Sequence, residues 1–106
     1  MQTEIYLHIH SVIPDAEVLL AYETAELAEV FLGCINAMPS KYKNAMKPNE
    51  LITHSDLYEY QHFHQGSVQK ALMEAWECLE REGFVAPLPD NNLDMYFITR
   101  KGERGN

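Results

Sequence analysis

One apolar period constrains this chain more than any other feature. Val68, Ala71, Leu72, Ala75, Trp76 and Leu79 recur at i, i+3, i+4, i+7, i+8 and i+11. At about 100° per residue they gather on one side of a helix. The spacing predicts a helix from Ser67 to Glu82, with Trp76 as an anchor in the core. Gly83 then ends it, because glycine tolerates the positive φ of a helix C-terminus. Two short apolar runs follow, Phe84-Val85-Ala86 and Met95-Tyr96-Phe97-Ile98, separated by the turn-forming Asp90-Asn91-Asn92. They read as the two strands of a hairpin. Pro87 and Pro89 restrict the first strand to a sheet edge.

The upstream chain is less regular. Over residues 3 to 10, Ile5, Leu7 and Ile9 alternate with Glu4, Tyr6, His8 and His10, the pattern of a half-buried strand. Pro14-Asp15 breaks it, and Asp15 is suited to start a short helix over Ala16 to Tyr22. From Thr24 to Met38 the residues Leu27, Phe31, Cys34, Ile35 and Met38 form a second helical stripe, with Glu23, Glu26 and Glu29 near its start. Pro48-Asn49 opens a further short helix, and Tyr58 to Gln65 reads as a loop. The expected class is α+β: helices packed against a C-terminal β-hairpin, with an added N-terminal strand. The expected division is an N-terminal strand or arm over 1–12, one domain over 13–102 and a tail over 103–106.

Composition then narrows the function classes. With 106 residues the chain is sized for one domain, and its formal net charge is −8. Proteins that live on the phosphate backbone usually carry the opposite sign. The one dense basic run is Lys41, Lys43 and Lys47. Cys34 and Cys78 show no metal-binding spacing and read as free thiols in a reducing compartment, with a disulfide between them as the alternative. No apolar run approaches the ~20 residues needed to span a bilayer, and no secretory signal is evident, so a cytoplasmic protein is expected.

Helix, Gly, strand, turn, strand and then Thr-x-x-Gly is the order in which many winged-helix domains end. The chain also resembles the Ymh-like family of bacterial hypothetical proteins, which is linked to abortive infection. The residues that carry the resemblance begin with Ile13-Pro14-Asp15, Leu19-Leu20-Ala21, Glu23 and Glu26-Leu27-Ala28. Its stronger half is the run from Ala71 to Gly83, then Ala86-Pro87 and Phe97-Ile98-Thr99-Arg100-Lys101-Gly102. The resemblance covers residues 13 to 102 and implies the family's N-terminal winged-helix module. Family members continue into a larger C-terminal region without a counterpart here, so it implies nothing about activity residing there.

No constellation points to catalysis. His8, His10, His54, His62 and His64 lack the spacings of a zinc site. Glu74, Glu77, Glu80 and Glu82 fall on the outer side of the long helix, where solvation leaves no environment to set carboxylate pKa values apart. No nucleophile, phosphate loop or cofactor motif stands out, and a non-enzyme with no metal or cofactor is expected. Two functional readings come from the residues, and a third, a regulatory subunit in phage defence, is implied by the resemblance alone. In one, the module binds a protein partner or a second copy of itself, through Ile5, Leu7 and Ile9 at a free strand edge and through the aromatics Tyr58, Tyr60 and Phe63. In the other, it binds DNA, with the start of the long helix (Gln65, Ser67, Gln69, Lys70) near the bases and Lys41, Lys43, Lys47, Arg100 and Lys101 on the backbone. The acids along the outer helix face oppose the second reading, because duplex DNA carries one charge per ~1.7 Å.

Overall fold

The long apolar period becomes the central helix in a computed structural model, which describes residues 5–89 and 94–105. In chain order the helices are α1 (Ala16–Ala21), α2 (Thr24–Asn36), α3 (Ser40–Lys43), α4 (Pro48–Thr53), α5 (His62–Arg81) and α6 (Arg100–Glu103). A 3-10 turn covers Asp56–Glu59. The strands β1 (Val85–Pro87) and β2 (Tyr96–Ile98) pair antiparallel, with Val85 opposite Ile98 and Pro87 opposite Tyr96. The class is α+β, with helices packed against a hairpin near the C-terminal end. The expected turn at Asp90-Asn91-Asn92 lies outside the described residues. No helix among the described residues is long and apolar enough to cross a membrane.

α5 buries Val68, Leu72, Ala75, Trp76 and Leu79 against its main neighbour α2, and against α1, α4 and β1. From α2 the core receives Leu27, Ala28, Phe31, Leu32, Cys34 and Ile35. A reciprocal capping box between Glu23 and Glu26 starts that helix by satisfying its first free N–H groups. Trp76 is 2% exposed and meets Tyr96 edge-on at 5.5 Å and Phe31 at 6.1 Å. Its indole N–H has no acceptor among the described residues, so the side chain serves the core by its volume.

α5 starts at His62, earlier than the Ser67 expected from periodicity, so residues 62–65 are helix rather than loop. That first turn projects beyond the core and leaves His62, Phe63 and Gly66 exposed. A stretch with nothing to bury carries no apolar period, which is why the pattern misses it. The other end matches expectation. Gly83 has φ +82°, Phe84 N–H donates to Leu79 O and Gly83 N–H to Glu80 O. This is a Schellman ending, and it turns the chain sharply into β1.

The Thr-x-x-Gly segment is the start of a short helix, α6, with Thr99 as its N-cap. The Thr99 hydroxyl accepts from Gly102 N–H at 3.0 Å and donates to Gly83 O at 2.6 Å, tying α6 to the end of α5. Gly102 packs so closely on the turn below that an added Cβ would lie 2.2 Å from Phe84 O. Upstream, Met46 forms a single antiparallel bridge with Tyr96, donating and accepting at 2.8 and 2.7 Å. It stands as a one-residue third strand beside β2.

The N-terminal segment departs from expectation. Described residues 5–10 include no strand, although their burial alternates: Leu7 and Ile9 are buried, Ile5 and His8 exposed. The side-chain pattern was that of a strand, but the backbone groups bond elsewhere. A side-chain carboxylate from the 3-10 turn takes the place of a neighbouring strand.

Candidate functional site

That carboxylate is Asp56, 2% exposed. Its Oδ1 accepts from Ile9 N–H at 2.7 Å and His10 N–H at 2.8 Å, and its Oδ2 accepts from Ser11 N–H at 3.2 Å and the Ser11 hydroxyl at 3.3 Å. In return, Asp56 N–H donates to Leu7 O at 3.2 Å. Successive N–H groups converging on one carboxylate are how a buried acid is made tolerable. Tyr60 extends the latch by donating its hydroxyl to Ile13 O, and the Cys34 thiol donates to His8 O at 3.2 Å. Burial, with the Asp56 charge second, pushes the Cys34 thiol from 9.0 up to about 11. The same causes, in the same order, push the Tyr60 phenol well above its ordinary range. Neither group is a nucleophile near neutral pH.

Sequence reasoning missed this latch. An Asp that opens a short helical turn usually faces solvent, and nothing at position 56 marks it as buried. The latch also revises the expected interaction surface. Leu7, Ile9 and Tyr60 are 1%, 0% and 4% exposed and belong to the core, so they present no free edge to a partner. Ile5, Tyr58 and Phe63 do face solvent, Phe63 most of all at 74% exposed.

Phe63 heads the outer stripe of α5. At helical spacing it aligns with Ser67, Lys70, Glu74, Glu77 and Arg81, all exposed. Tyr58 stands at the same end, held there by Gln65, whose amide donates to Tyr58 O at 3.2 Å and Tyr60 O at 3.1 Å. Glu80 lies to one side and accepts from the Tyr96 hydroxyl at 3.3 Å. Burial first, then the Glu80 charge, raise the Tyr96 phenol.

The expected nucleic-acid contacts fall into two separate groups. Ser67 and Lys70 border a groove shared with Thr24 and Leu27, at the start of α2. Lys43 Nζ reaches Asn36 O at 3.5 Å, and the Asn36 amide donates to Gly102 O at 2.9 Å, so both basic segments flank the end of α2. Some 9 to 12 residues of helix separate the groups, about 15 Å along the axis. Several of these side chains also have local partners. Lys101 donates to Glu82 O at 2.7 Å and lies over the Phe84 ring, and Lys47 lies 3.9 Å from Glu50. Gln69 and Arg100 are exposed, and Lys41 sits over the Tyr42 ring.

The histidines are dispersed. His8 Nδ1 lies 3.6 Å from Asp56, His10 Nδ1 lies 3.6 Å from Glu59 and stacks edge-on against Tyr60, and His64 contacts Phe63. Among the described residues no three His, Cys, Asp or Glu side chains are grouped to hold a metal ion. Comparison with protein-family models, with curated proteins and with solved structures finds no match to this chain.

Proposed function

We propose that the chain is a non-enzymatic winged-helix module that docks onto protein, a second copy of itself included. Support for the winged-helix reading comes from the order α2, the Met46 bridge, α4, α5, β1, β2: a helix, a minimal strand, two helices and a wing. The resemblance drawn from the sequence adds a setting, a bacterial phage-defence or regulatory system. The observation that carries the docking reading is the outer stripe of α5. An exposed aromatic leads a row of mixed charge, Lys70, Glu74, Glu77 and Arg81, and the remaining cations stand a helix length away or are engaged locally. Aromatic anchors ringed by polar side chains are common in protein interfaces. A continuous phosphate track needs clustered cations instead.

One observation favours the alternative of DNA binding: the first turns of α5 present Ser67, Gln69 and Lys70 and no carboxylate until Glu74. A retention experiment separates the two. The immobilised chain should retain specific polypeptides from a bacterial lysate after nuclease treatment, and Phe63→Ser with Glu77→Lys should release them. Retention that nuclease abolishes, or that the double variant leaves untouched, overturns the docking reading.

A further inference from the structure

We propose that the outward face of α2 is where two copies of this chain associate, the two helices crossing antiparallel at Gly33. The inference rests on the docking reading but assigns a different face from the outer stripe of α5.

A groove of about 360 Å³ runs along this face between the N-terminal segment and α2, and its floor includes Val12, Val30, Gly33 and Ala37. Val12 is 57% exposed although it is a large aliphatic side chain. Gly33 lies midway along this face, inside a 13-residue helix, and a Cβ added there would meet nothing within 4 Å. Gly66 in α5 is the other helical glycine with open space at its Cβ position. Glycine is among the least favourable residues within a helix, and nothing among the described residues requires it at position 33. What glycine does allow is close approach by another backbone.

Charge selects the occupant and its direction. α2 begins among Glu23, Glu26 and Glu29 and ends beside Lys41 and Lys43, and the short helix α6 that Asn36 holds carries Arg100, Lys101 and Glu103, with Arg104 just past its end, a net positive group. Crossing antiparallel at Gly33 sets each copy's acidic half against the other's basic end. A parallel crossing would set like against like. A surface that is acidic at one end, basic at the other and smooth at its middle is complementary to itself under a two-fold axis. With a net charge of −8, general self-association is repelled, so this local match determines the geometry.

Site-directed crosslinking of the full chain tests it. Under mild oxidation Gly33→Cys should form an intermolecular disulfide at least tenfold faster than the wild type, because a bridge needs Cα atoms within about 7 Å. Lys70→Cys on the outer stripe of α5 should not. In sedimentation equilibrium Gly33→Leu should weaken association at least tenfold without lowering the unfolding midpoint. Glu29→Lys should also weaken it, and adding Lys41→Glu should restore it. The proposal is overturned if Gly33→Cys crosslinks no faster than wild type, or if the reversed charges fail to restore association. If crosslinking moves to Lys70→Cys, the α2 contact is wrong and the docking reading stands. If no variant associates and no polypeptide is retained from lysate, both fall.

Discussion

The two faces of α5 are built from one helix and follow opposite rules. The inner face places Val68, Leu72, Ala75, Trp76 and Leu79 against every neighbouring element, at most 2% exposed. The outer face carries Phe63, Ser67, Lys70, Glu74, Glu77 and Arg81 into solvent. Volume is fixed on the inner face, where a lost methylene leaves a void. On the outer face stability hardly constrains the choice of residue, and Phe63 is 74% exposed there. The difference leaves the fold to one side of the helix, and the other side is the one on which the proposed docking rests.

The largest expected effect lies on the inner face. Trp76→Ala should lower unfolding free energy in urea by about 3–5 kcal/mol, the range for a large buried aromatic. A loss under ~1 kcal/mol would mean that the inner face is not the core. Asp56→Ala comes next, at on the order of 3 kcal/mol. It strands the N–H groups of Ile9 and His10, and each buried donor without a partner costs roughly 1–3 kcal/mol. Asp56→Asn, which keeps one accepting oxygen, should lose less.

The buried thiol beneath the latch should be visible in alkali. Cys34 has a raised pKa in the folded state, so the folded chain holds that proton more tightly than the unfolded one. The associated stability is intact below about pH 9 and is lost as pH climbs through about 11. The shift corresponds to roughly 2–3 kcal/mol at full loss, at about 1.4 kcal/mol per pKa unit. Denaturation curves at pH 8, 9, 10 and 11 should show the fall, and Cys34→Ala should flatten its share of it. The raised Tyr60 phenol acts in the same direction. Gly102→Ala should cost about 1–3 kcal/mol, because the new Cβ would meet backbone at Phe84 rather than a yielding side chain. Smallest of all, Phe63→Ser or Glu77→Lys should change stability by no more than ~0.5 kcal/mol, the usual range for exposed sites.

Much of the inner face was legible in the sequence, because burial on a helix imposes a period and the period survives in the residues. Val68 to Leu79 and Leu27 to Met38 follow from it, and the hairpin around Val85 and Ile98 follows from two short apolar runs after Gly83. What the sequence hid depends on contacts across the chain. Leu7 and Ile9 carry a strand's alternation, yet their segment bonds to a carboxylate from position 56. The first turn of α5 packs on little and left no pattern. Tyr60 looked like a surface aromatic until its hydroxyl met Ile13 O. The candidate site was partly legible: Phe63 and Tyr58 are exposed as expected, whereas the cations expected to act together are divided between the two ends of α2.

Whether the outer face of α5 repels phosphate is the most direct question. Fluorescence anisotropy of a labelled generic duplex, at ~50 mM salt and micromolar protein, reaches the range in which even non-specific binders respond. The wild-type chain should not bind, and Glu74→Lys with Glu77→Lys should give measurable, salt-sensitive binding. Micromolar binding by the wild-type chain that weakens with added salt would contradict a repelling outer face.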